Sequence, residues 1–227
     1  MIEDTLEKVE IRPDRHPSAT VIWLHGLGAD GHDFETIVPM LGIPESLPIR
    51  YVFPHAPVRP VTINAGMRMR AWYDVLDIQV DRRVDTVHML ESADLLMGLI
   101  QRETASGMPP HRILLAGFFQ GGAIALHVGL RYTERLARIL ALSTYMPTAN
   151  TLEVERSPEN IEIPIMMAHG SHDPVVPFAN GLNACQQLKR LGYHVQWHEY
   201  PMMHQVCEEE IHDIGRFMVE TLDPGTV

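Results

Sequence analysis

The chain has 227 residues, 45% of them hydrophobic, which is enough to bury a full core, and α/β chains of this size commonly fold as one domain, here 1–227. Its 18 Lys and Arg against 29 Asp and Glu leave a formal charge of −11. With no clustered cations, this excludes electrostatic capture of nucleic acid or of an anionic membrane. The N-terminal run MIEDTLEKVEIRPDR lacks an apolar signal core, and no segment approaches the roughly 18 uninterrupted apolar residues of a membrane span. The chain therefore reads as cytoplasmic, with no stable membrane insertion.

Short apolar runs suited to buried strands recur between longer stretches of helical period, the pattern of a mostly parallel sheet covered by helices on both faces. After a weaker run near Leu6 to Ile11, the strands are expected at Thr20 to His25, Arg50 to Phe53, Arg112 to Gly117, Arg138 to Ser143, Ile163 to His169 and His194 to Tyr200. Pro54 to Asp77 carries prolines and glycine without a sustained period, and is expected as a long excursion over the sheet edge that shapes a binding site. Behind Asp85 as N-cap, Thr86 to Gln101 sets Met89, Ala93, Leu96, Met97 and Ile100 on one helical stripe. Further helices fit Gln120 to Tyr132, Phe178 to Leu191 (closed by Gly192) and Cys207 to Leu222. Cys185 and Cys207 lack CxxC spacing and read as reduced thiols. His169 and His172 flank Gly170 and Ser171, but a zinc site needs further ligands, so neither metal nor cofactor is expected.

The segment Ile113-Leu-Leu-Ala-Gly117-Phe-Phe119-Gln-Gly121-Gly joins a buried strand, a glycine-framed turn and a helix of small residues. This is the frame of the nucleophile elbow G-x-S-x-G, whose central residue sits in a strained turn and whose glycines avoid collision with neighbouring backbone. Taken alone, GxxxG could equally serve close helix packing. Three more pieces add weight. Trp23-Leu-His-Gly26-Leu27-Gly28 runs a strand into a glycine-rich loop, where a backbone amide can meet a developing oxyanion. Asp173, in Ala168-His-Gly-Ser-His-Asp-Pro, follows a strand end, though a lone loop aspartate also serves as a turn cap. His204, in Tyr200-Pro-Met-Met-His, lies between the last strand and the last helix, though a lone loop histidine is more often a surface residue. Their order along the chain, elbow then acid then histidine, is the α/β-hydrolase order.

The motifs HGLGADGHDF, AWYD, LAGFFQGG, ALSTYMPT, HGSHDPVVP and YPMMH resemble those of bacterial carboxylesterases related to acyl-protein thioesterases and lysophospholipases, over nearly the whole chain. The resemblance implies a single-domain α/β-hydrolase acting on small acyl esters or thioesters. It places Phe119 at the nucleophile position, Asp173 as the acid, His204 as the base, and the amides of Leu27 and Gln120 in the oxyanion hole. Trp72, Val175, Val176 and Met203 would surround the acyl pocket. The family usually reads GFSQGG and YPMGH, so this sequence departs at Phe119 and at Met203.

Phenylalanine has no oxygen to attack an ester, so acyl-enzyme formation is expected to be abolished. Ser143 and Cys207 lie off the elbow and are not expected to replace it. A chain that keeps every other part fits an engineered exchange of serine for an aromatic group, or a chemically modified phenylalanine that supplies new chemistry. The alternatives are a natural pseudoenzyme that binds lipid or acylated partners without turnover, and a purely structural hydrolase-like domain. An apolar patch around Pro54 to Asp77 would offer a face for a homodimer.

Overall fold

The computed structural model describes residues 6–77 and 83–222. Strands buried on both faces read as unbroken apolar runs, because helices shield each side of a parallel sheet. In chain order the strands are β1 (Lys8–Ile11), β2 (Ala19–Leu24), β3 (Ile49–Pro54), β4 (Val58–Val61), β5 (Met67–Arg70), β6 (Ile113–Phe118), β7 (Arg138–Leu142), β8 (Ile165–Gly170) and β9 (Val195–Tyr200). Seven of them form one sheet in the order β1-β3-β2-β6-β7-β8-β9, parallel except for the antiparallel pairing of β1 with β3. Every residue of β2, β6, β7 and β8 is buried, which is why these four are the clearest in the sequence.

The helices are α1 (Thr86–Ala105), α2 (Gln120–Gly129), α3 (Ala149–Glu155), α4 (Phe178–Arg190) and α5 (Glu208–Leu222). The Asp85 carboxylate caps α1 by accepting from the amides of Val87 and His88, as the sequence suggests. Helix α2 stops before the expected Tyr132, because the Arg131 amide donates to the Val128 carbonyl three residues back, in place of the helical bond to His127. Cys207 precedes α5 rather than opening it.

Residues 54–77 are more ordered than a long excursion. β4 and β5 pair antiparallel as a separate hairpin, and the chain then dives inward at Ala71, Trp72 and Tyr73, all wholly buried. Proline at positions 57 and 60 hides the hairpin in the sequence, since proline disfavours a strand unless it lies at an edge. Val58 and Met67 leave apolar side chains exposed on it. Among the described residues no helix is long and apolar enough to cross a membrane.

One buried acid makes the stability of this fold depend on pH. Glu210, in the first turn of α5, is wholly buried and neither carboxyl oxygen has a hydrogen-bond partner among the described residues. Burial, helped by the nearby charge of Asp213, pushes its pKa up to about 8 from an ordinary 4.5. Between those values the folded chain keeps a proton that the unfolded chain has released, so this carboxyl makes stability fall as pH rises through that window. The expectation is that Glu210→Gln matches the parent's melting temperature at about pH 5 and exceeds it at about pH 8. Parallel melting curves across that range would show that the carboxyl does not carry the dependence.

Candidate active site

The site is built on the turn between β6 and α2. Phe119, its apex, has φ 52 and ψ −115, a region that costs a non-glycine residue on the order of 1–3 kcal/mol. The surroundings impose this geometry. A Cβ on Gly117 would lie 2.2 Å from the Gly121 carbonyl carbon, and one on Gly121 would lie 2.3 Å from the Leu24 carbonyl oxygen. The Phe119 amide donates to the Leu142 carbonyl at 3.0 Å, and the Phe119 carbonyl accepts from the Thr144 hydroxyl at 2.6 Å. Helix α2 begins immediately at Gln120, so its first amides point outward without intrahelical partners.

The acid loop follows β8. Asp173 Oδ1 accepts from the amides of Val175 and Val176, both at 2.8 Å, and Oδ2 accepts from His204 Nδ1 at 2.7 Å. Burial alone would push the Asp173 carboxyl up, but the hydrogen bonds from His204 and these two amides hold it below the ordinary range. His169, wholly buried at the root of the loop, donates from Nε2 to the Val176 carbonyl at 2.9 Å. The His204 loop closes over Gly170, where a Cβ would lie 2.3 Å from the Met203 carbonyl oxygen.

Two aromatic rings flank the imidazole of His204. Phe118 stands 4.6 Å away between ring centroids, and Phe119 5.1 Å away with its plane turned by 89°. Phe119 also faces Tyr145 at 6.4 Å, and the Tyr145 and Tyr73 hydroxyls are 3.1 Å apart. Fifteen per cent of the His204 side chain stays exposed, and its Nε2 has no hydrogen-bond partner among the described residues. The fold thus gathers Phe119, Asp173 and His204, which lie far apart in the sequence. The loop after β2 joins them, since a Cβ on Gly26 would lie 3.5 Å from the Phe119 Cβ. Neither the Leu27 amide nor the Gln120 amide donates to a carbonyl among the described residues.

The four residues expected around an acyl pocket divide into two pairs. Val175 and Met203 lie at the surface, 40% and 56% exposed. Trp72 and Val176 have no surface left to face a ligand: the Trp72 indole donates to the His25 carbonyl at 2.9 Å, and Val176 ties Asp173 to His169 through its backbone. Ser143, at the end of β7, is wholly buried with an unpartnered hydroxyl. Among the described residues no group of three His, Cys, Asp or Glu side chains could hold a metal. Sequence reasoning overlooked Phe118, Tyr145 and His25, and weighed His169 only as a possible zinc ligand. The two histidines had a readable signal, since each precedes a glycine at a strand end and a buried imidazole needs partners for its nitrogens.

The phospholipase/carboxylesterase family profile matches residues 6–222. An acyl-protein thioesterase 1 of Neurospora crassa is 41% identical, with 92% of this chain and 88% of the relative covered. One from Gibberella zeae is 38% identical over 91% of this chain and 92% of the relative. The crystal structure of Zea mays acyl-protein thioesterase 2 superposes with a TM-score of 0.83 at 29% identity, covering 95% of this chain and 99% of that one.

The Asp173 hydrogen bonds set a local test. Asp173→Ala leaves the amides of Val175 and Val176 and the His204 ring without their acceptor, whereas Asp173→Asn keeps an oxygen for the two amides. In urea unfolding the alanine variant is expected to lose roughly 2–4 kcal/mol and the asparagine variant clearly less. Equal losses would mean that the two amides do not depend on this side chain.

Proposed function

The chain belongs to the phospholipase/carboxylesterase family, and from that membership we propose that it is a carboxylesterase-type acyl hydrolase scaffold whose acyl-transfer step is blocked at Phe119. The observation that carries this reading is the strained Phe119 apex standing perpendicular to an imidazole still hydrogen-bonded to a carboxylate. In such a site an apex serine would pass its proton to His204 Nε2 while attacking the acyl carbon, and Asp173 would hold the tautomer and support the imidazolium. The amides of Leu27 and Gln120 would receive the oxyanion. A phenyl ring can neither release that proton nor form the acyl bond. The substrate class is a small acyl ester or thioester, in keeping with relatives that are acyl-protein thioesterases. Val175 and Met203 would stand at the mouth of the acyl site.

Exchange, rather than long drift, accounts for Phe119. The glycine frame, the ionised acid, the paired histidine and the open amides are retained together around it. An engineered replacement fits that pattern best. A natural pseudoenzyme, holding acylated partners without turnover, is the second reading, favoured by the apolar side chains exposed at Val175 and Met203. Val58 and Met67, on the hairpin, are the apolar face a second copy would cover.

Phe119→Ser is expected to raise hydrolysis of p-nitrophenyl butyrate by about 10³-fold or more. Adding His204→Ala should remove the gain. No increase in the serine variant would sink the blocked-esterase reading and favour the pseudoenzyme. An intact mass equal to that of the unmodified sequence would reject a derivatised phenylalanine.

A further inference from the structure

Any two-donor oxyanion site has a mechanical requirement: donors carried by different elements must keep a fixed spacing, to within about half an ångström. Here the Leu27 amide lies in the loop after β2, and the Gln120 amide opens α2. β2 and β6 are hydrogen-bonded neighbours, but their pairing ends at Leu24 and Gly117, so the sheet does not itself fix the two amides beyond it.

A buried brace spans that gap. The Gln120 side chain is wholly buried and uses both ends of its amide. Its Oε1 accepts from the Trp72 backbone N–H at 3.0 Å, and its Nε2 donates to the Tyr73 carbonyl at 2.8 Å, so it grips residues 72–73 much as a neighbouring strand would. Trp72 then reaches the other element, its indole N–H donating to the His25 carbonyl at 2.9 Å. The His25 ring is held in the neutral form, since burial pushes its pKa down to about 4, and this lets Nε2 accept from the Ala56 amide at 3.0 Å while Nδ1 donates to the Gly26 carbonyl at 2.7 Å. On the far side of Leu27, the Gly28 amide donates to the Arg70 carbonyl at 2.8 Å. Ser92, on α1, anchors the segment by donating to the Trp72 carbonyl.

We propose that Trp72 and the Gln120 side chain are positioning residues that lock the Leu27 and Gln120 amides into one rigid oxyanion site. This rests on the reading of those two amides as oxyanion donors. Neither side chain has surface to touch a substrate, so any effect on turnover must pass through the amides. Burying a primary amide where methionine would pack is costly unless both ends are bonded, and here both bonds go to the same two-residue segment.

Gln120→Met keeps the backbone amide and the side-chain length but removes both grips, and Trp72→Phe keeps a ring but loses the indole donor. In the Phe119→Ser background, each is expected to lower kcat about 10-fold to 100-fold with KM changed less than about 2-fold. The double variant is expected to lose little more than the worse single one, since the two act as a unit. A rise in KM with kcat preserved, or losses that simply add, would overturn the proposal.

A second measurement needs no turnover. In the chain carrying Phe119, hydrogen exchange at the Gly28 amide is expected to quicken about 10-fold or more in Gln120→Met, relative to the Leu115 amide in β6. Gln120 has no hydrogen bond to Gly28, so a change there reports transmission along the brace. Unchanged relative exchange would refute it. If Phe119→Ser brings no hydrolysis, the acyl-transfer reading fails by itself, and the exchange measurement still decides whether the brace exists.

Discussion

The close approach of α2 to the end of β2 governs the rest of the site. Gly121 sits so near the Leu24 carbonyl that no side chain fits between them, and Gly117 is pressed against Gly121 in turn. With the strand and helix held this tightly, the one residue that joins their turn is driven to positive φ. An apex in that conformation points outward from the sheet, toward His204. The same contact brings the first amides of α2 beside the loop after β2. One packing constraint thus yields both the strained apex and backbone amides without a carbonyl partner among the described residues.

At this apex, phenylalanine meets a backbone conformation suited to a small reactive residue. The strain is offset by bonds that do not depend on the side chain: the Phe119 amide donates to the Leu142 carbonyl, and the Phe119 carbonyl accepts from the Thr144 hydroxyl and the Ala123 amide. The ring packs against Tyr145 and the perpendicular imidazole of His204. Aromatic packing of this kind contributes on the order of 1 kcal/mol beyond its buried area. The fold therefore accommodates phenylalanine at this apex, because the bonds that hold the elbow belong to the backbone.

Much of this was legible in the sequence, for identifiable reasons. Parallel strands covered on both faces leave apolar runs such as Ile113 to Ala116 and Ile139 to Leu142, and Phe119, Asp173 and His204, singled out by their chain order, do come together. The hairpin of β4 and β5 was not legible, since proline within Val58 to Val61 argues against a strand. Nor was the burial of Trp72, whose indole partner is a backbone carbonyl 47 residues away. His169 and His25 showed only part of their role, through the glycine that follows each at a strand end. Their partners are the carbonyls of Val176 and Gly26, and a backbone acceptor leaves no mark in the one-letter code.

The central claim is that the site is assembled but has no nucleophile, and covalent labelling addresses it most directly. Incubation with an alkyl fluorophosphonate, followed by intact mass spectrometry, should leave this chain unmodified and add one phosphonyl group to Phe119→Ser. A stoichiometric adduct on the chain carrying Phe119 would contradict the account, because it would reveal a competent nucleophile elsewhere in the site.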